Sequence, residues 1–436
     1  MIKMLEIKDL PQHIGEVVTI CGWVETIRDQ KKRQFVILRD RSGLVQMIHE
    51  KEGREALTAV VSSLTPESTI EVTGIIVTNE IVKLGKLELV VDSIRIYAIA
   101  ASPLPINEDA ALDNRLDWRF IDLRRPQNRL IFQLQTVAEH AMRNFWREHG
   151  FIEVHSPKFM ETASESGGEL FKVEYFGKTA YLAQSPQFYK QMAMAAGFNR
   201  IFEVGPVFRA NPSFTSRHDT EFTSVDVEIS WIKSHEDVMC LEEEWLRYVL
   251  ASVKAELGDQ IKQLYGIDIM VPEIPFPRVT MEDVYAILAN EGYTVTRAVK
   301  GDLDPEGERM ISRHVKEKFG HDFVFVIDYP VSARAFYHMR HEDRPDLTKS
   351  FDLLWKGLEV TTGAQREHRY DTLVRQAVEK GFSLGPLQHY LDFFKYGCPP
   401  HGGYGFGLSR MLMILLGLNN VREVTYLYRG PNRLSP

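Results

Sequence analysis

Arg209 closes a β-like run that begins at Ile201, and a polar loop, 211–220, then carries Arg217 and His218 toward a second run, Glu221 to Trp231. Alternate residues of an extended strand face opposite sides. Val225, Val227, Ile229 and Trp231 therefore share an apolar face that belongs against a core, while Phe222, Ser224, Asp226 and Glu228 share the other. The second face sets an aromatic plate and two carboxylates beside an arginine-bearing hairpin. Such a surface can stack a base, neutralise a triphosphate and hold an ammonium group.

A second chemistry-bearing surface lies near the start of the chain. A strand opening at Gly22-Trp23-Val24 reaches Arg28-Asp29, the basic residues Lys31, Lys32 and Arg33 follow, and the next strand begins Gln34-Phe35. An exposed aromatic between basic residues on a β face is a stacking platform for single-stranded bases. Gln46, one strand further on, has an amide that both donates to and accepts from a base edge. Read without context, the same residues are a core phenylalanine and a solvated basic loop.

The elements that must hold these residues follow from pattern. Residues 1–103 carry short β-like runs (Val17–Ile20, Phe35–Leu38, Leu44–Ile48, Ile70–Gly74) interrupted by a helical patch near Glu55–Ser63, as in a small barrel of the OB type. Ser102-Pro103-Leu104-Pro105 breaks the pattern, and 104–130, including the charged stretch Asp113–Arg125, reads as a hinge. Leu130–Gly150 has helical apolar spacing, and strand signals dominate from Phe151 to Trp231. Helical stretches at Ser234–Leu257 and Thr280–Glu291 mark 234–335 as an insertion within a second domain, 131–436. Ser350–Gly363 reads as one strand, Asp371–Gly381 and Leu387–Tyr396 as helices, and a final helix carrying Leu408, Met411, Leu412 and Leu415 stops at Gly417.

Bulk numbers bound the class. At 436 residues the chain exceeds one ordinary core, and 44% hydrophobic with 26% charged residues is the composition of a soluble globular protein. No apolar run is long enough to span a bilayer and no charged-then-apolar leader opens the sequence, so a cytoplasmic protein without a membrane partner is expected. Cys21, Cys240 and Cys398 are isolated and read as reduced thiols. A net charge of -8 argues against a general nucleic-acid coat but leaves room for a local basic patch.

Three segments, in order, resemble one family. Arg209–Trp231 resembles motif 2 of the class II aminoacyl-tRNA synthetases, Gly403–Arg410 resembles motif 3, and Phe151–Pro157 looks like motif 1, whose proline lies at a dimer interface. The implied fold is α+β and multidomain: an N-terminal OB-fold barrel and a class II antiparallel catalytic sheet flanked by helices, in a homodimer. Tyr181–Gln191 and Gly363–Asp371 resemble, more closely, the aspartyl enzymes of the archaeal and eukaryotic type. That resemblance implies a ligase joining L-aspartate to tRNA-Asp at the expense of ATP, and leaves open whether tRNA-Asn is charged too.

Site roles carry over residue by residue. Glu165 belongs to a small, polar lid-like loop, 164–171; Ser185, Gln187 and Lys190 face the amino acid, and Asp226 matches the carboxylate that receives its ammonium group. A buried lysine is costly unless an anion pairs with it, so Lys190 suits an acidic ligand, although a helix-surface lysine is the plain alternative. Arg366 matches the arginine that grips the side-chain carboxylate. Its fork holds both oxygens, whereas asparagine's amide would leave a donor facing a donor, at about 1–3 kcal/mol. Arg209 matches the α-phosphate contact, Phe222 the ring under adenine, Arg217 and His218 the triphosphate loop, and Gly407 with Arg410 the motif 3 contact. Arg28, Phe35 and Gln46 match anticodon contacts.

Asp352, Glu359 and Thr362 resemble the Mg2+ ligands, but the two carboxylates have opposite parity in one strand, and a bend at Gly357 is needed to aim both at one ion. Two positions depart from the family pattern: Asn211 and Ser409 stand where relatives often have glutamate. The rival readings are an asparaginyl enzyme, which Lys190 and the setting of Arg366 disfavour, and a non-catalytic RNA-binding relative, which would be expected to have lost one or more of Arg209, Phe222, Arg366 and Arg410.

Overall fold

A computed structural model describes residues 5–162, 170–212, 215–296 and 301–436. The chain forms two compact units, 1–109 and 110–436. In the first, alternating burial produces the strands β1 (Val17–Asp29), β2 (Arg33–Arg39), β3 (Leu44–Glu50), β4 (Thr69–Thr78) and β5 (Leu87–Ala98), closed into a barrel in the order β1-β2-β3-β5-β4. Val24, Val36, Leu38, Met47, Val72 and Leu89 fill its interior, and α1 (Glu55–Ser63) lies between β3 and β4 in sequence. Gly22 is required by close approach, since a Cβ there would sit 2.4 Å from the Arg39 carbonyl oxygen.

The second unit starts with α2 (Leu112–Asp117) and α3 (Arg119–Asp122), inside the stretch expected as a hinge, and continues into α4 (Pro126–Glu148). Strands β6 (Ile152–Glu153), β7 (Phe159–Met160), β8 (Lys172–Tyr175) and β9 (Lys178–Leu182) lead to α5 (Gln187–Ala195), and then to the hairpin β10 (Arg200–Phe208) and β11 (Glu221–Ser230). The region read as a helical insertion holds α6 (His235–Tyr265), α7 (Met281–Asn290) and α8 (Pro305–Phe319), and also β12 (Arg278–Thr280) and β13 (Phe323–Ile327). These last two strands extend the main sheet, so this region is part of its architecture. The chain closes with β14 (Ser350–Trp355), β15 (Leu358–Gln365), α9 (Tyr370–Glu379), α10 (Leu384–Lys395), β16 (His401–Gly407), α11 (Leu408–Leu416) and α12 (Val421–Val424).

The main sheet has the order β12-β13-β14-β15-β16-β11-β10-β6, antiparallel except at the β12–β13 and β10–β6 pairs. One face packs on α4, α6 and α11, with the Trp146 and Trp245 rings stacked at 5.2 Å and Phe406 edge-on to Trp245 at 5.0 Å. Val225, Val227, Phe351, Leu353, Tyr404 and Phe406 point into that core, as period-two alternation requires. The opposite face is the floor of the site. Arg119, buried in α3, donates to the carbonyls of Glu423, Thr425 and Tyr426 and so ties down the C-terminal segment. Cys21, Cys240 and Cys398 are free thiols. No helix among the described residues is long and apolar enough to cross a membrane.

Two strand expectations are corrected. Trp231 does not lie on the apolar face: β11 ends at Ser230, Trp231 adopts φ +63°, and its indole is 71% exposed with Nε1 donating to Asn199 Oδ1 at 3.0 Å. Ser350–Gly363 is not one strand but the hairpin β14–β15, which turns at Lys356 and Gly357, both with positive φ.

Candidate active site

A cavity of about 930 Å³ opens on the polar face of the sheet. Its floor is a cross-strand row in which Asp352 pairs with Thr362, Thr362 with Gly405, and Gly405 with Asp226. At about 4.8 Å per strand this row sets the Thr362 end roughly 10 Å from Asp226. Glycine in the middle keeps the floor low. At Gly403, two pairs along, a Cβ would meet the Val227 carbonyl oxygen at 2.0 Å and Glu228 Oε2 at 2.2 Å, so no larger residue fits.

The Asp226 end holds a buried ionic quartet. Lys190, from α5, donates to Asp226 Oδ1 at 3.0 Å and the Tyr404 carbonyl at 3.2 Å, with Glu228 Oε2 at 3.5 Å. Arg366 donates from Nε and Nη2 to Glu228, at 3.1 and 3.4 Å, and to the Gly403 carbonyl at 3.0 Å. Both cations are 3% exposed and line the cavity, so the helix-surface alternative for Lys190 is excluded. Burial pushes the Glu228 carboxyl up, but Arg366 and Lys190 together hold it below its ordinary value. Glu228 was not assigned a role from sequence. The signal was there: it shares the parity of Asp226 on β11, and a charge on that face must find a partner.

Gln187 and Ser185 stand at the same end. Gln187 Nε2 donates to Gln191 Oε1 at 2.9 Å, which also accepts from the Tyr390 hydroxyl at 2.8 Å. Gln191 Nε2 in turn meets His401 Nε2 at 2.9 Å, and His401 Nδ1 lies 2.8 Å from the Pro399 carbonyl. The carbonyl can only accept, so Nδ1 carries the proton and Nε2 accepts from the amide. Burial pushes His401 down to about 4, which keeps it neutral in this chain of bonds. Ser185 Oγ accepts from the Gln187 backbone N–H at 3.3 Å, and both residues line the cavity. Glu165 lies outside the described residues.

The other end is arginine-rich. The Arg209 guanidinium sits 5.4 Å from the centroid of the half-buried Phe222 ring, and both line the cavity with Arg217, His218, Gly407 and Arg410. Arg410 donates to the Glu359 carbonyl oxygen at 2.6 Å, and its guanidinium lies 3.4 Å from Glu359 Oε1. Burial, with Arg410 and Arg209 nearby, holds His218 below its ordinary value and favours the neutral ring. The hairpin loop is anchored on the C-terminal segment: Val421 N–H donates to the Ser216 carbonyl, Thr220 N–H to the Arg429 carbonyl, and the Thr425 hydroxyl to Asp219 at 3.1 Å.

Asp352 and Glu359 are brought to one face, but not by a bend at Gly357. The β14–β15 register slips between Leu353 and Leu354, leaving Val360 as an extra residue, a β-bulge. Leu354 then faces Glu359 while Asp352 faces Thr362, so one parity reversal aligns both carboxylates with the Thr362 hydroxyl. Thr362 Oγ1 donates to Glu359 Oε1 at 3.2 Å. Asp352 is buried, pairs through Oδ2 with Arg334 at 2.7 Å, and its Oδ1 is an orphaned acceptor. Burial, eased by Arg334, pushes its carboxyl up to about 6. An oxygen-only set with an orphaned carboxylate oxygen fits a hard divalent cation whose remaining ligands come from elsewhere; among the described residues no three His, Cys, Asp or Glu side chains make a protein-only metal site. Arg334 belongs to 332–338, a cavity-lining segment that sequence reasoning missed, because only tertiary packing brings it there.

The barrel face assembles as well. Arg28 pairs across with Phe35 and its guanidinium lies 5.2 Å from the ring centroid. Arg28 Nη2 donates to Gln46 Oε1 at 3.2 Å, while Gln46 Nε2 donates to Glu88 at 2.7 Å. Phe35 is half-buried on the outer side, and the core position is taken by its neighbour Val36.

Residues 111–429 match the family model described as tRNA synthetases class II (D, K and N), and residues 18–97 match an OB-fold nucleic acid binding domain. The chain belongs to the class II tRNA synthetases. It is 45% identical to the aspartate–tRNA(Asp/Asn) ligase of Methanopyrus kandleri over 98% of this chain and 97% of that one, and 39% identical to the aspartate–tRNA(Asp) ligase of Pyrococcus abyssi over 97% of each. Among solved structures, asparaginyl-tRNA synthetase from Pyrococcus horikoshii with asparaginyl-adenylate superposes with a TM-score of 0.92 at 31% identity, covering 100% of both chains. The eight-stranded sheet is therefore the catalytic sheet of an aminoacyl-tRNA synthetase, and the five-stranded barrel is its OB domain.

Proposed function

We propose that this synthetase is an aspartate–tRNA ligase that activates L-aspartate with ATP and transfers it to tRNA-Asp. One observation carries the choice of amino acid: two cations, Lys190 and Arg366, are buried in the cavity and braced by Glu228, so a second carboxylate entering there is met by fixed positive charge. Asp226 and Ser224 receive the ammonium group, and Ser185 and Gln187 border it. Asparagine's NH2 would face the donors of Arg366, an unpaired contact worth about 1–3 kcal/mol.

Phe222 stacks on adenine, and Arg217, His218 and Arg410 hold the phosphates. Arg209 stabilises the charge that builds at the α-phosphorus as the α-carboxylate attacks and pyrophosphate leaves. The nucleophile is already ionised at neutral pH, so no side chain must act as a base; positioning and charge neutralisation supply the rate. Asp352, Glu359 and the Thr362 hydroxyl would hold Mg2+, which supplies charge neutralisation at the phosphates. In the second step the terminal ribose hydroxyl of the tRNA attacks the aspartyl carbonyl and AMP leaves. Arg28, Phe35 and Gln46 read the anticodon by stacking and amide contacts. Homodimerisation through 151–157 and a cytoplasmic location complete the proposal.

Aspartate-dependent ATP–pyrophosphate exchange without tRNA is the test; exchange supported by asparagine and not by aspartate overturns the assignment. The identity to a ligase named for both tRNAs favours a second reading, in which tRNA-Asn is charged with aspartate as well. Charging purified tRNA-Asp and tRNA-Asn side by side separates the two.

A further inference from the structure

The hairpin loop between β10 and β11 is held at its base by backbone bonds to the C-terminal segment, but Arg217 reaches the other way. Its Nη1 donates to Glu308 Oε2 at 2.7 Å, the only hydrogen bond of this guanidinium among the described residues. Glu308 lies in the first turn of α8, a helix capped by Asp304, whose Oδ1 accepts from the Gly307 N–H at 2.9 Å. Arg217 lines the cavity, whereas Glu308, 6% exposed, does not. We infer that Glu308 is a positioning residue for the nucleotide, a buried anchor that fixes the Arg217 guanidinium at the phosphate end of the site. This rests on the reading of Arg217 as a phosphate contact and extends it to a residue of α8 that no motif marks.

Two effects compete. An unanchored arginine loses rotamer entropy on meeting a phosphate, and a charged partner that holds one edge of the fork removes much of that loss beforehand. Against this, Glu308 is itself an anion near a polyanionic ligand. That repulsion is offset by the Arg217 guanidinium only 2.7 Å away, which cancels most of the charge that Glu308 presents at longer range. Glu308 also faces Glu359 and Arg410, and burial together with Glu359 pushes its carboxyl up to about 7, against the pull of Arg217. Near neutral pH the carboxyl is therefore only partly ionised, and the Arg217 guanidinium, which pulls its value down, favours the charged, anchoring form.

The test is a double-mutant cycle in pyrophosphate exchange on the full-length protein, using Glu308→Gln, Arg217→Met and both together, with KM measured for ATP and for aspartate. Anchoring predicts that Glu308→Gln raises KM for ATP about tenfold at unchanged aspartate KM, that Glu308→Asp restores part of it, and that Glu308→Gln adds nothing in the Arg217→Met background. A fall in KM for ATP on Glu308→Gln makes Glu308 a brake and overturns the inference. Additive effects overturn it too, because Glu308 then acts without Arg217. If Arg217→Met alone leaves KM for ATP unchanged, the underlying reading of Arg217 fails instead. Should Glu308→Gln not fold, Arg217→Lys decides: its point charge cannot span anchor and phosphate, so an unchanged KM for ATP refutes anchoring.

Discussion

Replacing Glu228 by glutamine removes one negative charge from the set Lys190, Arg366, Asp226 and Glu228, whose formal charges sum to zero. The variant leaves two buried cations facing one buried carboxylate. Removing one partner of a buried pair costs about 3–5 kcal/mol, and glutamine's oxygen can still accept from Arg366, so the low end, about 3 kcal/mol, is expected. In a unit larger than 250 residues each kcal/mol moves Tm by about 2 °C, which gives a fall of about 6 °C without ligand. Aspartate carries the missing negative charge to the same place, so saturating aspartate should raise Tm more in the variant than in the parent. The pH dependence has a definite sign. The folded carboxyl is held below its unfolded value of 4.5, so its contribution is complete above that value and is lost as pH falls through the lowered folded one. Scanning calorimetry with and without aspartate, at pH 7 and in acid, makes the measurement. An unchanged Tm and an equal aspartate shift in both proteins would refute the idea that Glu228 balances the cations.

Glu242, fully buried on α6 with the Thr361 hydroxyl as donor, is pushed by burial up to about 8, so stability should fall as pH rises from about 4.5 to about 8; Glu242→Gln should flatten that slope, and a thermal-melt series against pH would reveal a persisting one. Phe35→Ala should lower kcat/KM for tRNA by about 5- to 150-fold, the worth of one stacked base, with pyrophosphate exchange nearly intact; lost exchange would mean that Phe35 serves folding instead. Gly403→Ala drives a methyl into the Val227 carbonyl and Glu228, and should unfold the protein or cost more than about 3 kcal/mol by denaturant titration, where a neutral result would contradict the register of β11 and β16.

Much of the site was legible in the chain because strand parity is a local property. One residue's type and its neighbour's direction place Val225 and Val227 in the core and Asp226 and Glu228 on the opposite face, where Asp226 lines the cavity. The same logic failed at Trp231, where a positive φ ends the strand, and at Glu359, where the Val360 bulge reverses parity. Neither event has a sequence signature as strong as alternation, since a bulge is chosen by what packs on both sides of the strand.

By itself the sequence determined the barrel, the order of the three motifs and the cavity-facing residues within those motifs, all of which depend on spacing along one segment. Only the tertiary structure decided which charges meet: Lys190 with Glu228, Arg366 with Glu228, Arg334 with Asp352, Arg217 with Glu308. These partners lie between 18 and 138 positions apart, and a buried charge selects its counter-ion by distance in space, because at low dielectric an unpaired one is too costly to keep.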